Sequence, residues 1–264
     1  MRNVLAIAKK ELYLYFTTPI AYVAFFATSF IGAFFFLTLT SAFQRQSLQF
    51  TQFQAPQLLE RMNLTDMVAF PLIVNMGVIL IFVVPFLSMR LLAEERRNRT
   101  VELLMTVPVR SGEIVLGKYA AALAMVAVLV ALIAVFPVLL GFYATGTGGG
   151  GGLEWQTVGV GLLGLFLCGA AFMAIGLFVS SLTESQVVAA LLTFLVLLVT
   201  WIVGWKAAEV EGAFREVLNH LSSVTHLVSF ARGVLDAKDV AYYLSAVFLG
   251  LFLTHRALEA RRGA

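Results

Sequence analysis

Gly112–Lys118 (GEIVLGK) has the spacing G-x-x-x-x-G-K of a phosphate-binding loop. In such a loop the backbone amides cradle phosphates, the lysine reaches the terminal ones, and a following Ser or Thr ligates magnesium. Tyr119 stands where that hydroxyl is needed, and no strand of an α/β domain precedes the run. The chain is therefore expected to carry no nucleotide site of its own, so ATP-driven work would have to be powered by another subunit. His220 and His226, six residues apart with Glu216 nearby, could offer ligands to a metal, although polar loop or interface histidines account for them more simply. The single cysteine, Cys168, permits no intrachain disulfide and says nothing about redox compartment. No catalytic residue, cofactor or metal is expected on this chain.

The elements that must position these residues belong to a membrane. Hydrophobic residues make up 60% of the 264 and charged residues 12%, with a mean hydropathy of +0.92. A soluble domain carries about 25% charged residues. Six apolar runs are long enough, or nearly so, to cross a hydrocarbon core: Ile20–Phe43, Val68–Met89, Tyr119–Phe142, Val158–Leu182, Val187–Trp205 and the short Val240–Thr254. They are continuously apolar where barrel strands would alternate. The expected fold is an all-α polytopic membrane protein forming one transmembrane domain over residues 1–264. The first run exceeds a signal-peptide core and reads as a retained span. No Asp, Glu, Lys, Arg or His falls inside these six runs. Proton- or sodium-driven pumps place such residues at membrane depth, so their absence argues against that class and against an intramembrane hydrolase.

Charge sets the orientation. Twelve Lys and Arg (Arg2, Lys9, Lys10, Arg90, Arg96, Arg97, Arg99, Arg110, Lys118, Arg256, Arg261 and Arg262) fall on one face, against six on the other: Arg45, Arg61, Lys206, Arg215, Arg232 and Lys238. The positive-inside bias puts the first face, with both termini, in the cytoplasm. The basic residues flank spans without an aromatic-basic face, so nucleic-acid binding is not expected. Residues 1–19 place Val4, Leu5, Ala8, Leu12, Tyr15 and Phe16 on one side at helical spacing, with Arg2, Asn3, Lys9 and Lys10 opposite. That pattern fits a helix lying in the cytoplasmic interface among lipid headgroups, or an ordinary basic flank. The polar loop 44–66 is expected to hold a short amphipathic helix. Pro71 and Pro85 suggest a bent second span. Five consecutive glycines after the third span read as a flexible turn. Gly161, Gly164, Gly169, Ala170, Ala174 and Gly176 allow close helix approach in the fourth, within one chain or between two. A turn at Thr183–Gln186 makes the fourth and fifth spans antiparallel neighbours, and 206–239 suits short helices dipping into the outer leaflet.

Between the second and third spans lies a charged island, RLLAEERRNRTVELLMTVPVRSGEIVLGK (90–118). Val101, Leu104, Met105 and Pro108 make an apolar stripe at helical spacing, and Glu95 can pair with Arg99 one turn on. Pro108 breaks the helix and Ser111 can cap the next, with Glu113 in its first turn. Such a helix–break–helix can lie in a partner's groove, or be a solvated loop that merely enforces topology.

The island resembles the signature of ABC-2-type exporter permeases at Glu94, Glu95, Thr100, Glu102, Leu103, Leu104, Pro108, Val109, Gly117 and Lys118, with Arg99 where that family has glycine. Ala8–Pro19 and Ser229–Leu244 (SFARGVLDAKDVAYYL) are similar to the gliding-motility-associated branch. The resemblance implies a six-span, non-enzymatic subunit of a bacterial inner-membrane exporter. It would dimerise, with a cytoplasmic ABC ATPase carrying ATP-Mg beneath each copy and an auxiliary membrane-anchored extracytoplasmic protein as a further partner. Glu94, Glu95, Thr100, Glu102, Leu103, Leu104, Pro108, Gly117 and Lys118 would then belong to the ATPase-coupling segment, and Lys9, Lys10 and Glu11 to the interface helix. The output would be export or work on an outer partner. A membrane scaffold that recruits a cytoplasmic partner and moves nothing is the competing expectation.

Overall fold

Apolar runs with few breakers fold into long helices, and a computed structural model describes them over residues 2–53, 62–98, 110–144, 152–207 and 212–262. α1 is Arg2–Thr17, α2 Pro19–Gln52, α3 Phe70–Ser88, α4 Arg90–Arg97, α5 Ser111–Ala144, α6 Trp155–Leu182, α7 Gln186–Ala207, α8 Ala213–Leu221, α9 Ser223–Ala231 and α10 Ala237–Arg262. A π-helical turn, Thr65–Ala69, leads into α3. There is no strand among the described residues. Six helical stretches are long and apolar enough to cross a bilayer: Pro19–Gln52, Thr65–Arg97, Ser111–Phe142, Trp155–Leu182, Gln186–Lys206 and Ala237–Ala260. The chain is thus an all-α polytopic membrane protein.

Local chemistry sets where helices begin and end. Pro19 occupies the first turn of α2, where its missing N–H costs nothing, after Thr18 in extended conformation. The Glu113 carboxylate accepts from the Arg110 amide (3.1 Å) and starts α5. Ser222 caps α9 by accepting from Thr225 N (3.2 Å), and Asp236 accepts from Lys238 N (3.1 Å) at the head of α10. Gly233 closes α9 with φ 79°, its amide donating to Phe230 O and that of Val234 to Ser229 O.

The small-residue helix α6 forms the centre, packed by α3, α4, α5, α7, α9 and α10. Its glycines admit intrachain neighbours: Gly161 faces Ile73, Gly164 faces Phe230, Gly169 faces Val126 and Gly176 faces Ser88. Gly250 of α10 lies so close to the Ala174 backbone that an added Cβ would sit 2.8 Å from its carbonyl carbon and oxygen. Peripheral helices keep apolar outer faces, with Phe26, Phe30 and Phe34 on α2, Leu191, Leu195 and Val199 on α7, and Phe248 and Phe252 on α10 exposed. In a bilayer those faces meet lipid.

His255 of α10 adjoins Gly112, and Val4 and Ile7 of α1 adjoin Gly117, so both ends of the chain meet α5 at its start. This end of the bundle is the terminal face. The opposite, far face carries α8 and α9.

Several elements depart from the sequence expectation. α2 continues as one helix to Gln52, through the first part of the polar loop, where a separate short helix was expected. The last span is the 26-residue α10, longer at both ends than its apolar centre suggested. The second helix expected within the island is the first turns of α5, continuous from Ser111 into the third span. α1 buries Ala8, Glu11 and Tyr15 against the bundle while Leu5 and Phe16 are exposed, so the face it packs on protein contains a charge, which the sequence did not suggest.

Candidate functional site

Four elements converge at the terminal face. α1 crosses the start of α5 at Gly117, where a Cβ would lie 2.8 Å from Ile7 Cβ and 3.0 Å from Val4 O. One residue on, Lys118 is 1% exposed, and its Nζ lies 2.8 Å from Glu11 Oε1 of α1 and 3.0 Å from Glu95 Oε1 of α4. Lys10 approaches Glu95 from the rim at 3.5 Å. The glycine lets α1 in; the lysine then ties α1 and α4 to the third span. Its ammonium is neutralised by carboxylates and lies inside a continuous helix, an arrangement with no loop to cradle phosphate.

A second set of bonds fixes α4. The hydroxyl of Ser180, near the end of α6, accepts from the amides of Leu92 (3.1 Å) and Ala93 (3.0 Å) and donates to Met89 O (2.9 Å). That uses one donor and two acceptor positions, the whole capacity of a hydroxyl. The insertion falls where α3 gives way to α4, and a side chain entering the helical ladder is a recognised cause of a helix break. The Arg96 guanidinium donates to Ser181 O and lies 3.6 Å from Glu184 in the α6–α7 turn. Arg90 donates to Glu94 (2.8 Å) and to Thr18 (2.7 Å), joining α4 to the α1–α2 corner. Tyr15 donates to Leu87 O at 2.8 Å. Burial pushes its phenol well above the usual range, and the charge of Glu11 adds to this, so it remains a donor. Between α1 and α4 lies a half-open pocket of about 180 Å³ lined in part by Tyr15, Arg90, Glu94, Glu95 and Asn98.

Of the residues singled out from sequence, Lys10, Glu11, Glu94, Glu95, Gly117 and Lys118 come together here. Glu95 pairs with Lys118 and Lys10. Lys9 is exposed on the other side of α1. Thr100, Glu102, Leu103, Leu104 and Pro108, with Arg99 and the apolar stripe, lie outside the described residues. Tyr15, Ser180, Ser181 and Glu184 were not foreseen as part of the site. Their signal was faint: polar atoms at the ends of apolar runs, with partners far away in the chain.

The far face holds a second polar cluster missed in the sequence. His226, read as a polar loop or interface histidine, and Asp239, not singled out in the sequence, are both buried, with Nδ1 and Oδ1 2.6 Å apart.

The terminal-face junction carries no nucleophile beside a base and no group of metal ligands among the described residues. What it does is join elements: α4 is bonded to α1, α5 and α6. A family model described as ABC-2 family transporter protein matches residues 5–241. No curated protein matches the chain.

Proposed function

The chain belongs to the ABC-2 family of transporter proteins, and from that premise we propose that it is the permease subunit of an ATP-driven exporter, its energy coming from a separate cytoplasmic ATPase. The observation that carries this reading is the buried Lys118–Glu11–Glu95 group together with the Ser180 clasp. Through them, force applied to α4 reaches three spans and the interface helix. In this reading the terminal face is cytoplasmic, in the inner membrane of a bacterium, as the basic residues favour. Two copies assemble, each above one ATPase, and the gliding-motility-type features supply an auxiliary extracytoplasmic partner. ATP acts by favouring one of two arrangements of the spans, which requires contacts through the island that differ between them.

The test co-expresses the chain with its cytoplasmic ATPase and follows co-purification and ATP turnover in lipid. Glu102→Arg and Leu104→Asp are expected to detach the ATPase or make its turnover indifferent to the permease, with membrane insertion unchanged. Co-purification and turnover unchanged in both variants would overturn the coupling role. An ATPase that binds but whose turnover never responds to the permease would favour a scaffold.

A further inference from the structure

Between α2 and α3, toward the terminal face, runs a half-open groove of about 580 Å³, and every residue lining it is apolar. Ala24 and Val83 are buried at its floor, while Val23, Phe82 and Phe86 stand exposed at its edges. Ala27, the next small residue of α2, leaves space that a larger side chain would fill. Along α2 the groove extends from Pro19 to Ile31. That is about 18 Å at 1.5 Å per residue. One leaflet contributes about 15 Å to a hydrocarbon core of about 30 Å. The groove thus has the lining and the length to take one hydrocarbon chain lying along the helices.

Its terminal-face end is polar. Arg90 follows Phe86 by four residues, and its Nη1 donates to Thr18, the residue before Pro19. Nε and Nη2 donate to Glu94 at 2.8 and 3.4 Å, so the guanidinium is held from both sides. A guanidinium has five N–H groups. Nη1 and Nη2 therefore each keep one that has no partner among the described residues. Arg90 also lines the pocket between α1 and α4, so groove and pocket meet at this side chain. The ionic lining of that pocket is balanced, with Lys10, Arg90 and Lys118 against Glu11, Glu94 and Glu95. Lys118 takes up Glu11 and Glu95. Glu94, with its side chain 35% exposed, is the most accessible of the three carboxylates.

We propose that this corner binds one phospholipid with a phosphoethanolamine headgroup. One acyl chain lies in the α2–α3 groove, the phosphate accepts from the remaining N–H groups of Arg90, and the ammonium donates to Glu94. The parts follow in the order the lipid requires: apolar groove, then cation, then carboxylate toward the terminal face. Guanidinium and phosphate form strong charge-assisted bonds. The zwitterion lies head to tail against the Arg90–Glu94 pair and leaves the local charge balanced. A net anionic headgroup would bring no ammonium to Glu94, and a choline headgroup has no N–H to donate. A second copy of the chain could cover the groove, but that contact would not answer the guanidinium. The site follows from embedding in a membrane and does not depend on the coupling role; the orientation proposed above adds only that the lipid belongs to the cytoplasmic leaflet.

The test strips the full chain of lipid in detergent and titrates it with palmitoyl-oleoyl phosphatidylethanolamine, phosphatidylcholine or phosphatidylglycerol, counting bound lipids by native mass spectrometry. One phosphatidylethanolamine per chain should bind at concentrations about tenfold below those the other two need, the scale of one hydrogen bond to a charged group. Arg90→Gln should raise its half-saturation about ten- to a hundredfold for the same reason. Ala27→Phe fills the groove and leaves the polar end intact; it should weaken binding about tenfold through lost apolar burial. Val199→Phe, which adds bulk to the exposed outer face of α7, should change nothing. A phosphatidylethanolamine with a photoactivatable group midway along one acyl chain should label residues 19–31 or 79–86. Equal retention of the three lipids would overturn the proposal, as would labelling confined to other segments. So would equal effects of Ala27→Phe and Val199→Phe. A disulfide-linked dimer of Val23→Cys in phosphatidylethanolamine vesicles would place a second copy in the groove and overturn it too. The lipid comparison and the labelling use the unaltered chain, so a variant that fails to fold leaves the test standing.

Discussion

Lys118 sits where a membrane helix leaves its polar end, and its charge is held by carboxylates from two other helices. Removing one partner of such a buried group costs more than the group contributes, because the remaining charges stay desolvated. Lys118→Met is therefore expected to destabilise the chain by about 3–5 kcal/mol, read from chemical unfolding in detergent. Adding Glu11→Leu should recover part of the loss, since Glu95 keeps Lys10 at 3.5 Å. In the sequence Lys118 stood out through a phosphate-loop spacing it does not serve, and through a family resemblance that grouped it with Glu94 and Glu95. Its pairing with Glu11, 107 positions away, was not legible. No local pattern records which helices will cross. The same holds for His226, a loop histidine by sequence until the fold of α9 against α10 supplies Asp239.

At the level of elements, α4 is an eight-residue helix whose first amides are satisfied by α6. Ser180→Ala leaves the Leu92 and Ala93 amides without that acceptor, each buried unsatisfied group costing about 1–3 kcal/mol. The expected result is faster amide exchange confined to Arg90–Arg97, with the spans inserted as before; unchanged exchange there would show that the clasp does not fix the helix. Which elements exist was legible from apolar run lengths. Their ends were not, because hydropathy marks only the lipid-crossing part. A helix propagates past it wherever capping groups allow, as Glu113 does for α5 and Asp236 for α10. For α1, periodicity identified the helix but not that Glu11 would be buried, because the Lys118 that makes this favourable comes from another helix.

For the molecule as a whole, α6 is the axis about which the other spans are arranged. Gly250→Val would drive a side chain into the Ala174 backbone, which cannot yield as a side chain tip can. Overpacking of this kind typically costs about 1–3 kcal/mol, and here it should lower the melting temperature of the entire bundle in detergent, with no segment spared. Membrane class, span number and all-helical architecture were legible from composition. The arrangement around α6 was not, since a stripe of small residues serves contacts within a chain and between chains alike. The Ser180 clasp also bears on how the protein is born. Leu92 leaves the ribosome 88 residues before the serine that receives its amide. While the first three spans enter the bilayer, the Met89 break has no hydroxyl to fill it, and the amides beyond it have water as their partner. Synthesis thus keeps that corner soft during early insertion, and the arrival of the fourth span sets it.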